Sequence, residues 1–354
     1  MKKNFLISTG GSGGHVLPAT ILYDHLFNEA NLMISIDKRG LKYLDKNIYN
    51  FEIIDTPKLN NIILLPFNIF IILFLTIKSI FLLKKNKVEK IFSTGGYMSL
   101  PVILAARILN LEIYLLEPNQ VLGRANKYFL NFCKKIFCYS NKLKFFPKDL
   151  EDKVVLINPL VKENIYRIKS SDQTKDKLTL LIVGGSQGAS LFDRNLKNSV
   201  VNFSKKKLIK IIQQTNENNI SYLSNFYSKN NIENKIFSFD KNLAINIQQA
   251  DLCITRAGAS TLAELSVINI PFIAVPLPSS RDNHQLENAN FYKNNDCCWL
   301  VEQNSLEEKI ENILKDILND KRDYLNKKEN LKKLNYQNTW ISVNQKILRI
   351  INEN

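Results

Sequence analysis

Three short glycine-rich segments, each directly behind an apolar run of strand length, constrain this 354-residue chain more than any other feature. They are Gly10-Gly11-Ser12-Gly13-Gly14-His15 after residues 4–8, Gly95-Gly96-Tyr97 after 91–93, and Gly184-Gly185-Ser186-Gln187-Gly188-Ala189 after 178–183. Glycine permits positive φ and close backbone approach, and a helix that follows turns its unpaired N–H groups toward an anion. Such a loop opening each half of the chain predicts two α/β domains with a phosphate-bearing ligand between them.

Apolar runs and helical periods alternate through both halves. Strands are expected near 4–8, 32–36, 51–54, 90–93, 112–116 and 136–139, then near 178–183, 208–213, 235–239, 251–255 and 272–275. Helices are expected near 16–29, 69–83, 99–109 and 122–132, then near 189–202, 242–249, 259–268 and 284–294, with a charged helical tail from about 305. This alternation means parallel sheets with right-handed crossovers, whose ligands bind beyond the carboxyl ends of the strands. The division expected is a Rossmann-like domain over 1–160, a linker over 161–177, and a second such domain over 178–340. A C-terminal helix over 341–354 is expected to pack back on the first domain.

The 48 basic residues exceed the 33 acidic ones by 15, which suits an anionic partner such as a nucleotide or an acidic lipid surface. No aromatic RNA-reading strand or zinc finger is present, so nucleic acid is not expected as a partner. The five cysteines, Cys133, Cys138, Cys253, Cys297 and Cys298, form no CxxC pair and have no histidines at ligand spacing. They read as reduced, buried thiols of a cytoplasmic protein, and no metal site is expected. Lys2 and Lys3 precede an apolar stretch too short for a signal peptide.

Residues 59–77 carry no charge, and three readings of them stay open: a membrane span, a buried helix, or an interfacial patch. The best-formed helix, 69–83, is about 22 Å long, short of a hydrocarbon core of about 30 Å. Lys84, Lys85, Lys87 and Lys90 beside it favour an interfacial role, with Ile72 and Leu75 assigned to the lipid side.

The glycine loops fail two common phosphate fingerprints. Val16 stands where G-x-G-x-x-G starting at Gly11 needs its last glycine, although Asp37 would be placed to hold a ribose. After Gly188 come Ala189 and Ser190, without the lysine of a Walker loop. Six segments together, in this order and spacing, resemble the bacterial MurG family over nearly the whole chain. They are Thr9 to Ala19, Ser93 to Tyr97, Glu117-Pro118-Asn119, Gly184 to Ala189, Arg256 to Glu264, and Asp282-Asn283-His284-Gln285 with Asn288-Ala289.

That family transfers N-acetylglucosamine from UDP-N-acetylglucosamine to undecaprenyl-diphospho-muramyl-pentapeptide (lipid I), giving lipid II for peptidoglycan. The resemblance implies the α/β GT-B fold, two Rossmann-like doubly wound domains facing across a cleft. It implies an inverting N-acetylglucosaminyltransferase, peripheral on the cytoplasmic face of the bacterial cytoplasmic membrane. UDP-N-acetylglucosamine, lipid I and an anionic membrane surface are the implied partners, with cell-wall synthesis proteins as further candidates. No cofactor or metal is implied.

Residue roles follow from the same resemblance. Ser186, Gln187 and Gly188 form the donor-diphosphate loop, and N–H groups of the next helix stabilise departing UDP. Ala259, Ser260 and Thr261 lead to Glu264, which holds the ribose hydroxyls. Gln285, with His284 beside it, and Asn119, with Glu117 nearby, reach the transferred sugar. Ser12, Gly13 and Gly14 line the ligand site from the first domain, where the acceptor diphosphate is expected, and Gly95, Gly96 and Tyr97 belong to the same acceptor side. His15 is the candidate base. The family's Gly-Asn-Pro-Val-Arg is here Ile157-Asn158-Pro159-Leu160-Val161-Lys162, so Val161 replaces the donor-side arginine unless Lys162 serves. A GT-B enzyme with another lipid acceptor, a UDP-sugar epimerase and a nucleotide-binding scaffold remain alternatives.

Overall fold

The computed structural model describes residues 2–57, 63–168, 177–238 and 243–353, the side chains of 185–189 excepted. The chain forms two compact units, Met1–Lys162 with Thr339–Asn354, and Glu163–Asn338.

In the first unit the strands are β1 (Lys3–Ser8), β2 (Ala30–Ile36), β3 (Phe51–Ile53), β4 (Lys90–Ser93), β5 (Glu112–Glu117), β6 (Lys135–Cys138) and β7 (Val154–Leu156). They pair in the order β3-β2-β1-β4-β5-β6-β7, every neighbour parallel. The short strand β7 had no sequence expectation; three residues give too little alternation to read. Four longer helices cover the sheet: α1 (Gly13–Leu26), α2 (Leu65–Lys85), α3 (Leu100–Ile108) and α4 (Arg124–Phe129). One face buries α1 against Phe5, Ile7, Ile34 and Phe92. The other buries α2, α3 and α4 through Leu75, Leu83, Val102, Ile103 and Phe129 against Leu6, Ile91 and Leu115. A parallel sheet covered on both faces has apolar strands throughout, which is why these strands were legible.

The second unit opens with the short helix α5 (Glu163–Tyr166), whose Ile165 is buried. The expected linker is therefore structured at its start, because this apolar side chain packs into unit two; its residues 169–176 lie outside the described ones. The strands are β8 (Leu178–Val183), β9 (Ile209–Gln214), β10 (Glu233–Phe237), β11 (Leu252–Thr255), β12 (Phe272–Ala274) and β13 (Cys298–Leu300), ordered β10-β9-β8-β11-β12-β13 and all parallel. Its helices are α6 (Gly185–Asn195), α7 (Lys197–Ser204), α8 (Ile220–Lys229), α9 (Leu243–Gln249), α10 (Ala259–Ile268), α11 (His284–Asn294), α12 (Leu306–Asn319) and α13 (Arg322–Leu334). The helix expected over 189–202 starts four residues earlier and divides at Leu196 into α6 and α7.

The last helix, α14 (Trp340–Asn352), returns to unit one and buries Val343, Ile347 and Ile351 on the α1 face. Its start is a capping box: Thr339 Oγ1 accepts from Ser342 N–H, and Ser342 Oγ accepts from Thr339 N–H, both at 3.1 Å. The five cysteines are buried and unbridged, and burial raises their thiol pKa values, Cys133 to about 11.

Candidate functional site

In both sheets the strand order reverses beside the first strand, between β1 and β4 in unit one and between β8 and β11 in unit two. Helices on either side of such a switch point leave a crevice beyond the carboxyl ends, where ligands bind. All three glycine segments and the Arg256–Glu264 segment lie at these two points.

In unit one, β1 runs into Thr9, then Gly10 and Gly11 at φ +150 and +75, and Ser12 caps the start of α1. Ser12 O accepts from His15 N and Val16 N at 3.0 and 3.1 Å, which leaves the N–H groups of Gly13 and Gly14 without intrahelical acceptors. Asp37 fixes this loop from the end of β2. It is fully buried, and its Oδ1 accepts from Gly11 N at 2.7 Å and from Gly40 N at 3.0 Å. Its Oδ2 accepts from Arg39 Nε at 2.6 Å and pairs with the guanidinium. The sequence alternative of a ribose-binding Asp37 is thereby corrected: its oxygens are spent on backbone and arginine.

The second glycine segment closes on the first. Gly95 and Gly96 both have φ +82, and Met98 packs where side chains on Gly11 and Gly96 would stand, 2.4 and 2.1 Å from their ideal Cβ positions. His15, half-buried, lies between the loops with Nδ1 2.8 Å from Thr94 O. A carbonyl only accepts, so Nδ1 carries the proton and the neutral ring keeps its lone pair on Nε2. Thr94 Oγ1 in turn donates to Thr9 Oγ1 at 2.8 Å. Tyr97 is half-buried with the Arg39 guanidinium 4.9 Å from its ring centre.

Glu117, at the end of β5, organises the third loop of this unit. It is buried and accepts from Asn119 N at 3.2 Å, Asn119 Nδ2 at 3.1 Å, Gly123 N at 2.8 Å and Asn126 Nδ2 at 3.0 Å. Asn126 lies against Gly95, joining this loop to the second glycine segment. Sequence reasoning noticed Glu117 only as a neighbour of Asn119; the signal available was an acidic residue ending an apolar strand.

In unit two, α6 begins at Gly185, directly behind β8 and Gly184. Gly184 takes α-region angles of −91 and −16. The side chains of Ser186 and Gln187, and of Gly188, lie outside the described ones, but their backbone forms the first turn, where N–H groups lack helical acceptors. Beside it, Arg256 is buried after β11. It donates to Val275 O and Pro276 O, both at 3.2 Å, and to Gln303 Oε1 at 2.8 Å, and its guanidinium sits 5.2 Å from the Phe192 ring of α6. Arg256 therefore braces three strand-end loops.

Gly258 caps α10 with no described atom within 4 Å of a would-be Cβ. Ala259, Ser260 and Thr261 form the first turn and Glu264 follows one turn on, all partly exposed. Gln285, in the first turn of α11, accepts from Leu277 N–H at 2.9 Å, and Asn288 Nδ2 donates to Ala257 O at 3.1 Å. His284 Nδ1 donates to Arg281 O at 2.8 Å. Gly185–Gly188 and Gly258–Glu264 thus lie at the switch point of unit two, with Gln285 behind the next strand, β12; Ser12–His15 and Gly95–Tyr97 lie at that of unit one, with Asn119 behind the next strand, β5. Val161 is fully buried, so an apolar contact replaces the family arginine there; Lys162, partly exposed, is the last residue before unit two.

The membrane-side assignments of Ile72 and Leu75 are overturned. The helix is longer than expected, 21 residues or about 31 Å. Ile72 and Leu75 are only 6% and 9% exposed, with Asn68, Ser79 and Leu83 on the same inward face. At 100° per residue the opposite stripe carries Phe70, Leu73, Phe74, Ile77 and Phe81, each more than half exposed. Lys84 and Lys85 stand exposed at its end. By length and composition α2 is long and apolar enough to cross a membrane. Among the described residues no group of three or more His, Cys, Asp or Glu is placed to hold a metal ion.

Comparison with known proteins agrees with this arrangement. Residues 5–138 match the glycosyltransferase family 28 N-terminal domain and 179–339 its C-terminal domain. A Pelagibacter ubique protein named UDP-N-acetylglucosamine–N-acetylmuramyl-(pentapeptide) pyrophosphoryl-undecaprenol N-acetylglucosamine transferase is 47% identical, with all of both chains covered. A Rickettsia felis protein of the same name is 35% identical, covering 94% of this chain and 95% of its own. Among solved structures, Acinetobacter baumannii MurG is similar at TM-score 0.78 and 24% identity, covering 99% of each chain. Anabaena Alr3699/HepE in complex with UDP follows at TM-score 0.66 and 10% identity, covering 99% of each. These two likenesses concern the fold, GT-B.

Proposed function

Because the chain belongs to glycosyltransferase family 28, and within it to the MurG family, we propose that it transfers N-acetylglucosamine from UDP-N-acetylglucosamine to undecaprenyl-diphospho-N-acetylmuramyl-pentapeptide, forming lipid II. The observation that carries this reading is identity spread over the full length of an enzyme so named, with the three glycine segments and the Arg256–Glu264 segment at the sheet switch points.

The mechanism is an inverting displacement. The acceptor hydroxyl attacks the anomeric carbon as the bond to UDP breaks, and its proton passes to His15 Nε2. The Thr94 carbonyl supports that role, since it holds the tautomer whose open nitrogen is Nε2 and stabilises the imidazolium that forms. First-turn N–H groups of α6, rather than a metal, absorb the negative charge gathering on the diphosphate. Glu264 holds the ribose, Ser260 and Thr261 lie with it on the open start of α10, and Gln285 and Asn119 meet the transferred sugar. Ser12, Gly13, Gly14, Gly95, Gly96 and Tyr97 receive the acceptor diphosphate. Lys162, next in sequence to Val161, is the cation proposed to serve in place of the family arginine.

The lipid-linked acceptor places the enzyme peripherally on the cytoplasmic face of the membrane, its α2 stripe in the interface and Lys84 and Lys85 toward anionic headgroups. Sugar transfer from labelled UDP-N-acetylglucosamine to lipid I, but not to diacylglycerol, with one UDP released per sugar, is the expected result. Transfer to diacylglycerol, or donor turnover without acceptor, overturns the assignment.

A further inference from the structure

Phe145 is a bulky residue held in the left-handed region, at φ +63, and is 65% exposed. Among the described residues Asn and Asp account for six of the other seven non-glycine positions with positive φ, and these adopt it more readily. Phenylalanine gains nothing there locally, and exposing its ring to water adds to the cost.

The surrounding chain imposes this conformation. On one side Leu143 is buried, and on the other Phe146 packs against the layer formed by α2, α3 and α4. Between them Lys144 N donates to Gln120 O at 3.0 Å, and Leu122 N donates to Lys144 O at 3.1 Å. With Leu143 and Phe146 turned inward and Lys144 between them bonded on both backbone sides, Phe145 is turned outward. Gln120 follows Asn119 directly, so the strained turn is hydrogen-bonded to the loop that Glu117 braces.

The same layer carries the apolar stripe of α2. Ile108 at the end of α3, Tyr128 of α4 and Phe132 just after it are exposed there as well. Residues 63–153, which supply this layer, hold 14 Lys and Arg against 6 Asp and Glu, and Lys142 and Lys144 flank Phe145 at the surface. An exposed aromatic between lysines fits the headgroup region of an anionic bilayer, where ring and charge are both satisfied.

We propose that Phe145 is a second lipid-contacting residue, separate from α2, and that its seating in an anionic bilayer holds the adjoining Asn119 loop in its working conformation. Contact made only in the bound state supplies the differential free energy that favours this conformation. The inference rests on the peripheral-membrane reading above.

Three measurements on the full-length protein test it: thermal melting, flotation with phosphatidylglycerol–phosphatidylethanolamine vesicles, and turnover of a short-chain acceptor analogue with and without those vesicles. Phe145→Asn and Phe145→Gly relieve the φ strain, so both should melt higher than the parent chain. Both should bind the vesicles about tenfold more weakly, the loss expected from one unburied aromatic ring. Vesicles should raise kcat/KM for the parent chain and not for the variants. Weaker binding together with greater stability cannot come from misfolding. Vesicle binding and stimulation equal to the parent chain in both variants overturn the role of Phe145 and leave the α2 reading standing. Failure of the parent chain itself to bind overturns both.

Discussion

His15 has one ring nitrogen bonded to Thr94 O and the other open to a substrate proton. Replacing it with alanine should lower kcat by about 10²- to 10⁴-fold, the usual worth of general-base catalysis, while UDP affinity stays within about twofold. Steady-state rates beside calorimetric UDP titration check this, and an undiminished kcat removes His15 from the chemistry. Gly96 tests the loop that positions it. An alanine there would carry its Cβ at φ +82 and 2.1 Å from Met98 Sδ. Gly96→Ala should cost about 1–3 kcal/mol of stability, and a second change, Met98→Ala, should restore only part because the φ strain persists. Chemical denaturation of the three proteins measures both terms. His15 and the glycines were legible as residue types in a pattern. The tautomer, the closure of Met98 over two glycines, and the commitment of Asp37 were not, since each joins residues far apart in sequence.

At the scale of elements, α2 shows how a pattern can be read correctly in kind and wrongly in direction. Its apolar character extends nearly all round, so composition alone did not mark an inward face. Contact with α3 and the sheet selects Leu75 and Leu83, Ile72 is buried on the same face, and the phenylalanines are left outside. Leu75→Ala should therefore cost about 2–5 kcal/mol, as buried leucines do. The double change Phe70→Ser with Phe74→Ser should leave the melting temperature nearly unchanged and abolish most vesicle binding. Differential scanning fluorimetry and vesicle flotation separate the two outcomes; equal destabilisation by both would mean that the outer stripe also packs in the fold. The early start of α6 is a similar case. Glycines suggest a loop by propensity, yet the backbone from Gly185 onward is helical, which moves Ser186, Gln187 and Gly188 into the first turn.

Across the whole molecule, α14 ties the end of the chain to unit one, and His25 sits at that junction. Its ring is stacked 3.5 Å from that of Trp340, is 2% exposed, and has no hydrogen-bond partner for either nitrogen among the described residues. Burial lowers its pKa from 6.5 to about 3. The unfolded chain therefore binds the proton first on acidification. Stability is complete above pH 6.5 and falls below it, toward a limiting slope of about 1.4 kcal/mol per pH unit. Glu112, drawn down to about 2 with Lys134 and Lys90 as its partners, weakens the fold only below its ordinary 4.5, in a separate window. Urea unfolding between pH 7 and 5 should show the loss, and His25→Phe should flatten it. An unchanged slope would mean that His25 is protonated in place.

The succession of most strands and helices and the division into two parallel α/β units were already written in the chain, because apolar runs, helical periods and glycine sterics act over a few neighbouring residues. The family and its chemistry were legible for the same reason: each motif is a short local segment with its spacing intact. Only the folded molecule decided which side of α2 meets solvent, which imidazole nitrogen is available, and that Asp37 and Glu117 brace loops through backbone and side-chain donors. Those outcomes depend on partners brought together across the sheet, and no local pattern encodes who those partners are.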